Sequence, residues 1–389
     1  MPKAPVYIVD ARRSGQSPAG GVLSHCRAEE LLAQVAQQML AQNQLSSEAL
    51  VDWAVGCAVQ QDEQGMNLAR QAALWLNWNQ VPGITLNRME CSGLEAVLWG
   101  QHRLAEESGW MLAGGCEKMS VSGSSTVRRF PHPKLMAQCP QVTEPALLSA
   151  SRLQKELKIP REALDQAVIE SHRRAVMAQD SDYLAREILR INWKEKVWRE
   201  SGWSEIESSL GSDEGPREDL TREHLSSLES ALGAQGILTA AHLAPPSDGA
   251  ALCLMASEDV LKKSSRQPLG RIVAWALGAS EPWQRGSALG SLAEKAVKKA
   301  GLQSKNIPLV QVSETTSVTA LAFGLQWSGD PKGINVNGGS LAFGNSMAAS
   351  GVCSLVSMLH ELRRRKARHG LVLQDASGGQ HLALVIEAL

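Results

Sequence analysis

The chain has 389 residues, 43% of them hydrophobic and 20% charged, with 39 Lys plus Arg against 40 Asp plus Glu. That balance leaves no basic field for neutralising phosphates and excludes a nucleic-acid binder of the electrostatic kind. No apolar run reaches the ~18 residues of a membrane span, the N-terminus lacks a signal-peptide core, and seven scattered Cys with no C-x-x-C pair read as reduced cytosolic thiols, not as disulfides or a zinc site.

The elements then follow in order. VYIVDA (6–11) reads as a buried strand closed by Arg12-Arg13-Ser14-Gly15. AEELLAQVAQQMLAQ (28–42) has apolar residues at helical spacing. LVDWAVGCAV (50–59) is strand-like, NLARQAALWL (67–76) helical and GITLNRM (83–89) a strand. CSGLEAVLWGQHRLAEESG (91–109) is a helix stopped by Gly109, and WMLAGGCEKM (110–119) a strand with a glycine turn. This alternation predicts an α/β layered domain. Residues 120–245 are more polar and read as a mainly helical insert, after which SDGAALCLMAS (247–257) resumes the alternation to the end. The stretch 90–117 can be laid beside 348–380: each has Ser-Gly, an amphipathic helix, a Gly stop, an apolar strand and a Gly-Gly turn. Either one half was duplicated, or these are the outlines any two βαβ units share. Duplication gives two halves around one core.

Three places carry chemistry. Cys91 opens a helix beside Ser92-Gly93, where unpaired N–H groups and the macrodipole favour a thiolate; it reads as a nucleophile or as a buried structural thiol. INVNGGSLAFGNSMAASG (334–351) allows close backbone approach around Asn345, or is a structural turn. Asp375-Ala376-Ser377-Gly378-Gly379 ends an apolar strand with a possible anion nest, unless Asp375 simply caps a turn. The basic run at 363–369 reads as a solvated helix end or as a contact for phosphates or an acidic partner. Composition gives no account of 11 Trp against 3 Phe and 2 Tyr; Trp75, Trp78, Trp99, Trp193, Trp198 and Trp203 read mostly as core or interface filling.

Taken together, ARRSG, GMNLARQAAL (65–74), LNRMECSGLEAV (86–97), AGGCEKMS (113–120), GILTAAHLAPPSDGAA (236–251), INVNGGSLAFGNSMAASG and GLVLQDASGGQHLALVIE (370–387) make the chain resemble the thiolase family over nearly its whole length. The resemblance implies a five-layer αβαβα core of two duplicated halves with an inserted loop domain. The division is 1–120 (completed by about 245–266), 121–244 and 267–389. It implies acyl transfer from an acyl thioester, either acyl-CoA or an acyl carrier, through an acyl-Cys91 intermediate. Coenzyme A enters as substrate, with no permanently bound cofactor and no metal. It also implies a homodimer or tetramer, a possible partner thiolase subunit, a cytoplasmic setting, and no nucleic-acid or membrane partner.

The carried-over side chains depart from the family pattern. Its activating His falls on Asn345, its second Cys on Asp375, and its water-holding Asn on Ser313. Its Asn in the loop near the pantetheine falls on His242, and the Ser two further on falls on Ala244. Glu314 keeps the family's Glu and is a candidate acid/base; Glu90 reads as structural. An oxyanion hole from the backbone N–H groups of Cys91 and Ser377, beside Gly378, needs no side chain and is expected to persist. Asn345 can donate an amide N–H to an oxyanion but cannot take a proton. His242 reads as a surface-loop residue or a substitute base. Two further functions stay open: a thioester hydrolase in which Asp375 orients water, and a non-catalytic thiolase-like partner.

Overall fold

The computed structural model describes residues 4–122, 131–199, 202–233 and 236–389. Residues 123–130 of the polar insert lie outside them.

The chain opens with β1 (Val6–Ser14), α1 (Ala28–Gln42), β2 (Leu50–Gly56), α2 (Leu68–Trp75), β3 (Ile84–Leu86), α3 (Ser92–Glu106) and β4 (Trp110–Lys118). The apolar period of α1 buries Leu31, Leu32, Val35, Ala36 and Met39 on one stripe, with Glu29 and Glu30 in its first turn, where the dipole favours acids. After β4 come α4 (Ala146–Leu157), α5 (Arg161–Asp180) and an antiparallel ribbon, β5 (Ile191–Arg199) with β6 (Gly202–Leu210). The described part of this region is mainly helical, as read, and the ribbon is the element that the reading missed. The second strand alternates between exposed and half-buried residues with period two, and Trp198 meets Trp203 across the strands at 5.5 Å. The core resumes with β7 (Ser247–Ser257), β8 (Gly270–Ala279), α6 (Leu289–Lys299), β9 (Leu309–Val312), α7 (Ser317–Gln326), α8 (Ser350–Arg365), β10 (His369–Ala376) and β11 (Gln380–Ala388).

The strands lie in the order β9-β10-β11-β8-β1-β7-β4-β2-β3. On one side of the β8–β1 join the pairings run β1–β7 antiparallel, β7–β4 antiparallel, β4–β2 parallel and β2–β3 parallel. On the other they run β8–β11 antiparallel, β11–β10 antiparallel and β10–β9 parallel, and a parallel bridge from Val310 to Ile334 continues the edge. The two halves thus share one strand pattern. Duplication, not a chance echo, explains why 90–117 resembles 348–380: these stretches are α3–β4 and α8–β10.

Three cores separate the layers. Leu31, Val35 and Met39 of α1 and Leu68 of α2 pack on Trp53 and Leu112. Leu94 and Val97 of α3 and Leu355 and Leu359 of α8 fill the space between the two half-sheets, against Met111 and Leu384. Leu292 and Ala296 of α6 and Phe323 of α7 cover the far face at Val385. The order is helix, sheet, helix, sheet, helix. Trp193 is in the core and Trp78 and Trp99 are half-buried against it. Trp75, Trp198 and Trp203 instead face outward, at 56%, 64% and 70% exposure, so they are not core filling. The basic run belongs mostly to the last turn of α8, where Arg364 and Arg365 pair with Glu361. No described helix is long and apolar enough to cross a membrane, and all seven Cys are unbridged.

Candidate active site

The polar centre forms where the start of α3, the end of β10 and the segment after β8 meet. β10 and β11 turn through Gly378 and Gly379 at φ of 78° and 71°, and a side chain at Gly379 would run into the Ser280 carbonyl. Ahead of this turn the Ser377 N–H points at the start of α3. It donates to Oε2 of Glu90 at 2.8 Å, while the Ser377 hydroxyl donates to Oε1 at 3.0 Å. The Arg285 guanidinium donates to Oε1 of Glu90 at 2.6 Å and to Oδ2 of Asp375 at 2.7 Å. Asp375 Oδ1 accepts from the Ser313 and Thr315 hydroxyls at 2.7 and 2.9 Å. Glu90, Arg285 and Asp375 are all buried. Burial alone would raise the Asp375 carboxyl, but Arg285 and the Ser313 hydroxyl hold it below its ordinary value. Burial works against the Arg285 cation as well, yet Glu90 and Asp375 raise its pKa further.

Cys91 lies beside this network but does not face it. Its sulfur points at the Gln374 carbonyl, 3.5 Å away, within the apolar core between the half-sheets. It has no exposed surface. Burial first, then the charges of Glu90 and Asp375, push its thiol well above the usual value. These surroundings disfavour the expected thiolate: desolvation and two carboxylates work against the helix N-terminus. The geometry matches the structural-thiol alternative. The side chain that reaches the convergent donors is that of Glu90, which the sequence reading had set aside as structural.

The expected oxyanion hole is also taken. The Cys91 N–H donates to the Arg88 carbonyl at 3.1 Å, and the Ser377 N–H is spent on Glu90. Ser377 and Gly378 belong to the centre, but their anion nest already holds a carboxylate.

Asn345 joins from a second turn. Its Oδ1 accepts from the Met347 N–H at 3.0 Å and the Ser350 hydroxyl at 3.1 Å, while its Nδ2 donates to no described residue. Gly344, at φ 98°, precedes it; any side chain there would strike the Ser247 hydroxyl. The turn Met347–Ala349 lies on Gly93 and Gly115, where a Cβ would come within 2.2 and 2.4 Å of the Ala348 carbonyl. These glycines are what the Ser-Gly and Gly-Gly signals encode. The Ala244 N–H donates to the Thr315 carbonyl at 3.1 Å, and the Asn345 N–H to the Pro245 carbonyl at 2.7 Å, so the 244–247 loop bridges the two sides.

Two expected acid/base groups are engaged elsewhere. His242 is neither on the surface nor free. It is fully buried, with Nε2 on Asp165 at 2.8 Å and Nδ1 on the Thr239 N–H at 2.9 Å. Burial lowers its pKa despite Asp165. Glu314 accepts from Asn335 Nδ2 at 2.7 Å, the Ser171 hydroxyl at 2.6 Å and the Leu341 N–H at 3.3 Å. These bonds tie the 335–341 loop to α5; burial raises the Glu314 pKa against them. Arg285 escaped the sequence reading. The only hint was that two buried carboxylates, Glu90 and Asp375, require a cation.

With the geometry in place, comparison with known proteins fixes the lineage. A family model described as "Thiolase, N-terminal domain" matches residues 6–259, and "Thiolase, C-terminal domain" matches 266–388. The chain is 29% identical to the mitochondrial 3-ketoacyl-CoA thiolase of Bos taurus and 30% to the beta-ketoadipyl-CoA thiolase of Escherichia coli, each over 98% of both chains. The solved Bacillus anthracis acetyl-CoA acetyltransferase superposes with a TM-score of 0.88 at 27% identity, covering 100% of this chain and 99% of that one. Human mitochondrial 3-ketoacyl-CoA thiolase, solved in complex with CoA, gives 0.86 at 27% identity over 99% and 98%. The chain belongs to the thiolase family, the thiolase-type acyl-CoA acyltransferases.

Proposed function

We propose that the chain binds acyl-CoA thioesters as its thiolase relatives do, but that transfer through a thiolate is shut off at its own centre. It then acts as a thiolase-like partner subunit, paired with a second copy or with an active thiolase. The thioester part of this reading draws on the relatives' names and on the solved CoA complex of one of them. The observation that carries the rest is Glu90, whose carboxylate takes the Ser377 N–H where an oxyanion donor is needed. A cytoplasmic setting is part of the reading and draws on the seven unbridged Cys. Calorimetry with acetyl-CoA and longer acyl-CoAs tests it, together with intact mass and free-thiol release. Saturable binding with no adduct and no released CoA is expected. An acyl adduct or sustained CoA release overturns it.

A second reading is acyl transfer onto Cys91, favoured by the uncommitted Nδ2 of Asn345, an N–H able to hold an oxyanion. In that step the Cys91 sulfur bonds to the thioester carbonyl carbon, the bond from that carbon to the CoA sulfur breaks, and the departing CoA thiolate takes the Cys91 proton. A mass adduct mapping to Cys91 and lost in Cys91→Ser would establish it. A hydrolase built on Asp375 has less support. Both its oxygens are engaged and Arg285 lowers its basicity, so Asp375→Asn is expected to leave any background hydrolysis unchanged.

A further inference from the structure

Away from the polar centre, α5 and α7 part around a cavity of about 530 Å³. That is far more than a packing defect and falls within the ~300–1,000 Å³ typical of small-molecule sites. Its walls are Ala163 and Ala167 from α5, Leu321, Gly324 and Leu325 from α7, and Ile334 from the following loop. Gly324 sits inside α7, where glycine costs ~1 kcal/mol against alanine. It makes no turn and no close approach: a Cβ added there meets nothing within 4 Å. Beside it Leu325 is 70% exposed. An interior glycine facing a void and an apolar side chain left in water are what an unfilled pocket wall looks like.

The cavity mouth carries Lys158, Arg174 and Glu170. Lys158 ends α4 in the left-handed conformation, and no described carboxylate lies within ion-pair reach of it. Glu170 is the acid at the mouth, and it is already paired with Arg173 and Arg174 at 2.7 and 2.6 Å. Arg174 also clamps the Ile334 carbonyl at 2.6 Å, which fixes the far wall. Glu314 closes the floor with its hydrogen bonds already made. An apolar chamber with a free cation at its rim suits a ligand with one alkyl chain and one anionic head.

We propose that this cavity binds an alkyl carboxylate, its chain between α5 and α7 and its head group at Lys158. The proposal stands apart from the acyl-CoA reading, because no side chain that lines the cavity is hydrogen-bonded to Glu90, Arg285 or Asp375. Sodium dodecanoate titrated into the full-length protein, below its micelle concentration, is the test. One saturable site is expected. Gly324→Leu, whose Cβ would meet nothing within 4 Å and whose side chain would take up space in the void, weakens it at least tenfold and leaves acetyl-CoA binding unchanged. Lys158→Gln weakens dodecanoate severalfold but not dodecanol. Leu325→Glu, at an exposed position that folding does not depend on, also weakens dodecanoate. Dodecanoyl-CoA distinguishes the source: competition with dodecanoate that Gly324→Leu abolishes means the chamber also accepts a thioester's chain, while no competition means it takes the free acid. Absence of saturable dodecanoate binding, or an affinity that Gly324→Leu and Leu325→Glu both leave unchanged, overturns the proposal.

Discussion

The Glu90 carboxylate accepts the Ser377 backbone N–H at 2.8 Å, across 287 positions of sequence. The site is therefore still an anion receptor, but its anion is internal. The Ser377 hydroxyl and Arg285 hold that carboxylate from two more directions. A thioester oxygen developing charge nearby would have to displace a group held by three donors, one of them charged.

Replacing Glu90 by Cys places a thiol where these donors converge. Arg285 would then face a thiol and Asp375, and a neighbouring guanidinium favours the thiolate. The Ser377 N–H would be released for an oxyanion. Glu90→Cys in a Cys91→Ser background is expected to gain an acyl adduct from acetyl-CoA at position 90, where the parent chain gains none. Intact mass and peptide mapping read this directly, and an unmodified variant would show that the donors do not converge on side chain 90.

Arg285 neutralises two buried carboxylates. Its removal in Arg285→Met leaves both uncompensated, which typically costs about 3–5 kcal/mol. Adding Glu90→Gln and Asp375→Asn removes the stranded charges, so the triple variant is expected to regain most of the loss in urea unfolding. Asp375 also fixes an acid dependence. Its folded pKa lies below the ordinary 3.8, so its contribution is present above that value and disappears as pH falls through the folded pKa. Asp375→Asn should flatten the acid limb of the stability curve and leave neutral pH slopes alone.

The strands and helices of both halves were legible because each buries one face with its own period. The glycines of the site were legible because Gly93, Gly115 and Gly344 sit where a Cβ cannot fit. Arg285 was not, because its partners lie 195 and 90 positions away and its own segment has no pattern. The register of side chains at the start of α3 was also hidden. Glu90 and Cys91 are adjacent, and only the fold shows that one faces the polar centre and the other the core. His242 misled for a related reason: a loop histidine looks solvated until Asp165, from a helix 77 residues earlier, closes over it.

That His242–Asp165 pair makes a separate prediction. Nδ1 accepts the Thr239 N–H, so Nε2 carries the proton that Asp165 receives. His242→Ala leaves the carboxylate with Arg161 alone and is expected to cost about 1–3 kcal/mol. The folded pKa of His242 lies below 6.5, so stability falls as the unfolded chain protonates below that pH. The Ala variant should lose this slope while binding acyl-CoA as before. A large loss of acyl-CoA affinity in a folded variant would give His242 a role at the ligand instead.

Glu117 sets the opposite slope. It is fully buried and accepts the N–H groups of Ala58, Val59 and Ala348 at 2.8, 3.0 and 3.3 Å, pinning the turn after Asn345 to β4. Burial outweighs these bonds and raises its pKa from 4.5 to about 7. The folded chain thus holds this proton more tightly than the unfolded chain. The corresponding stabilisation is full below 4.5 and is lost as pH rises to about 7. At ~1.4 kcal/mol per unit this loss is on the order of 3 kcal/mol. Glu117→Gln cannot ionise, so its urea midpoint should change less than that of the parent between pH 5 and pH 8. Equal slopes in the two proteins would mean that Glu117 is already ionised at pH 5 and that the three N–H groups outweigh burial.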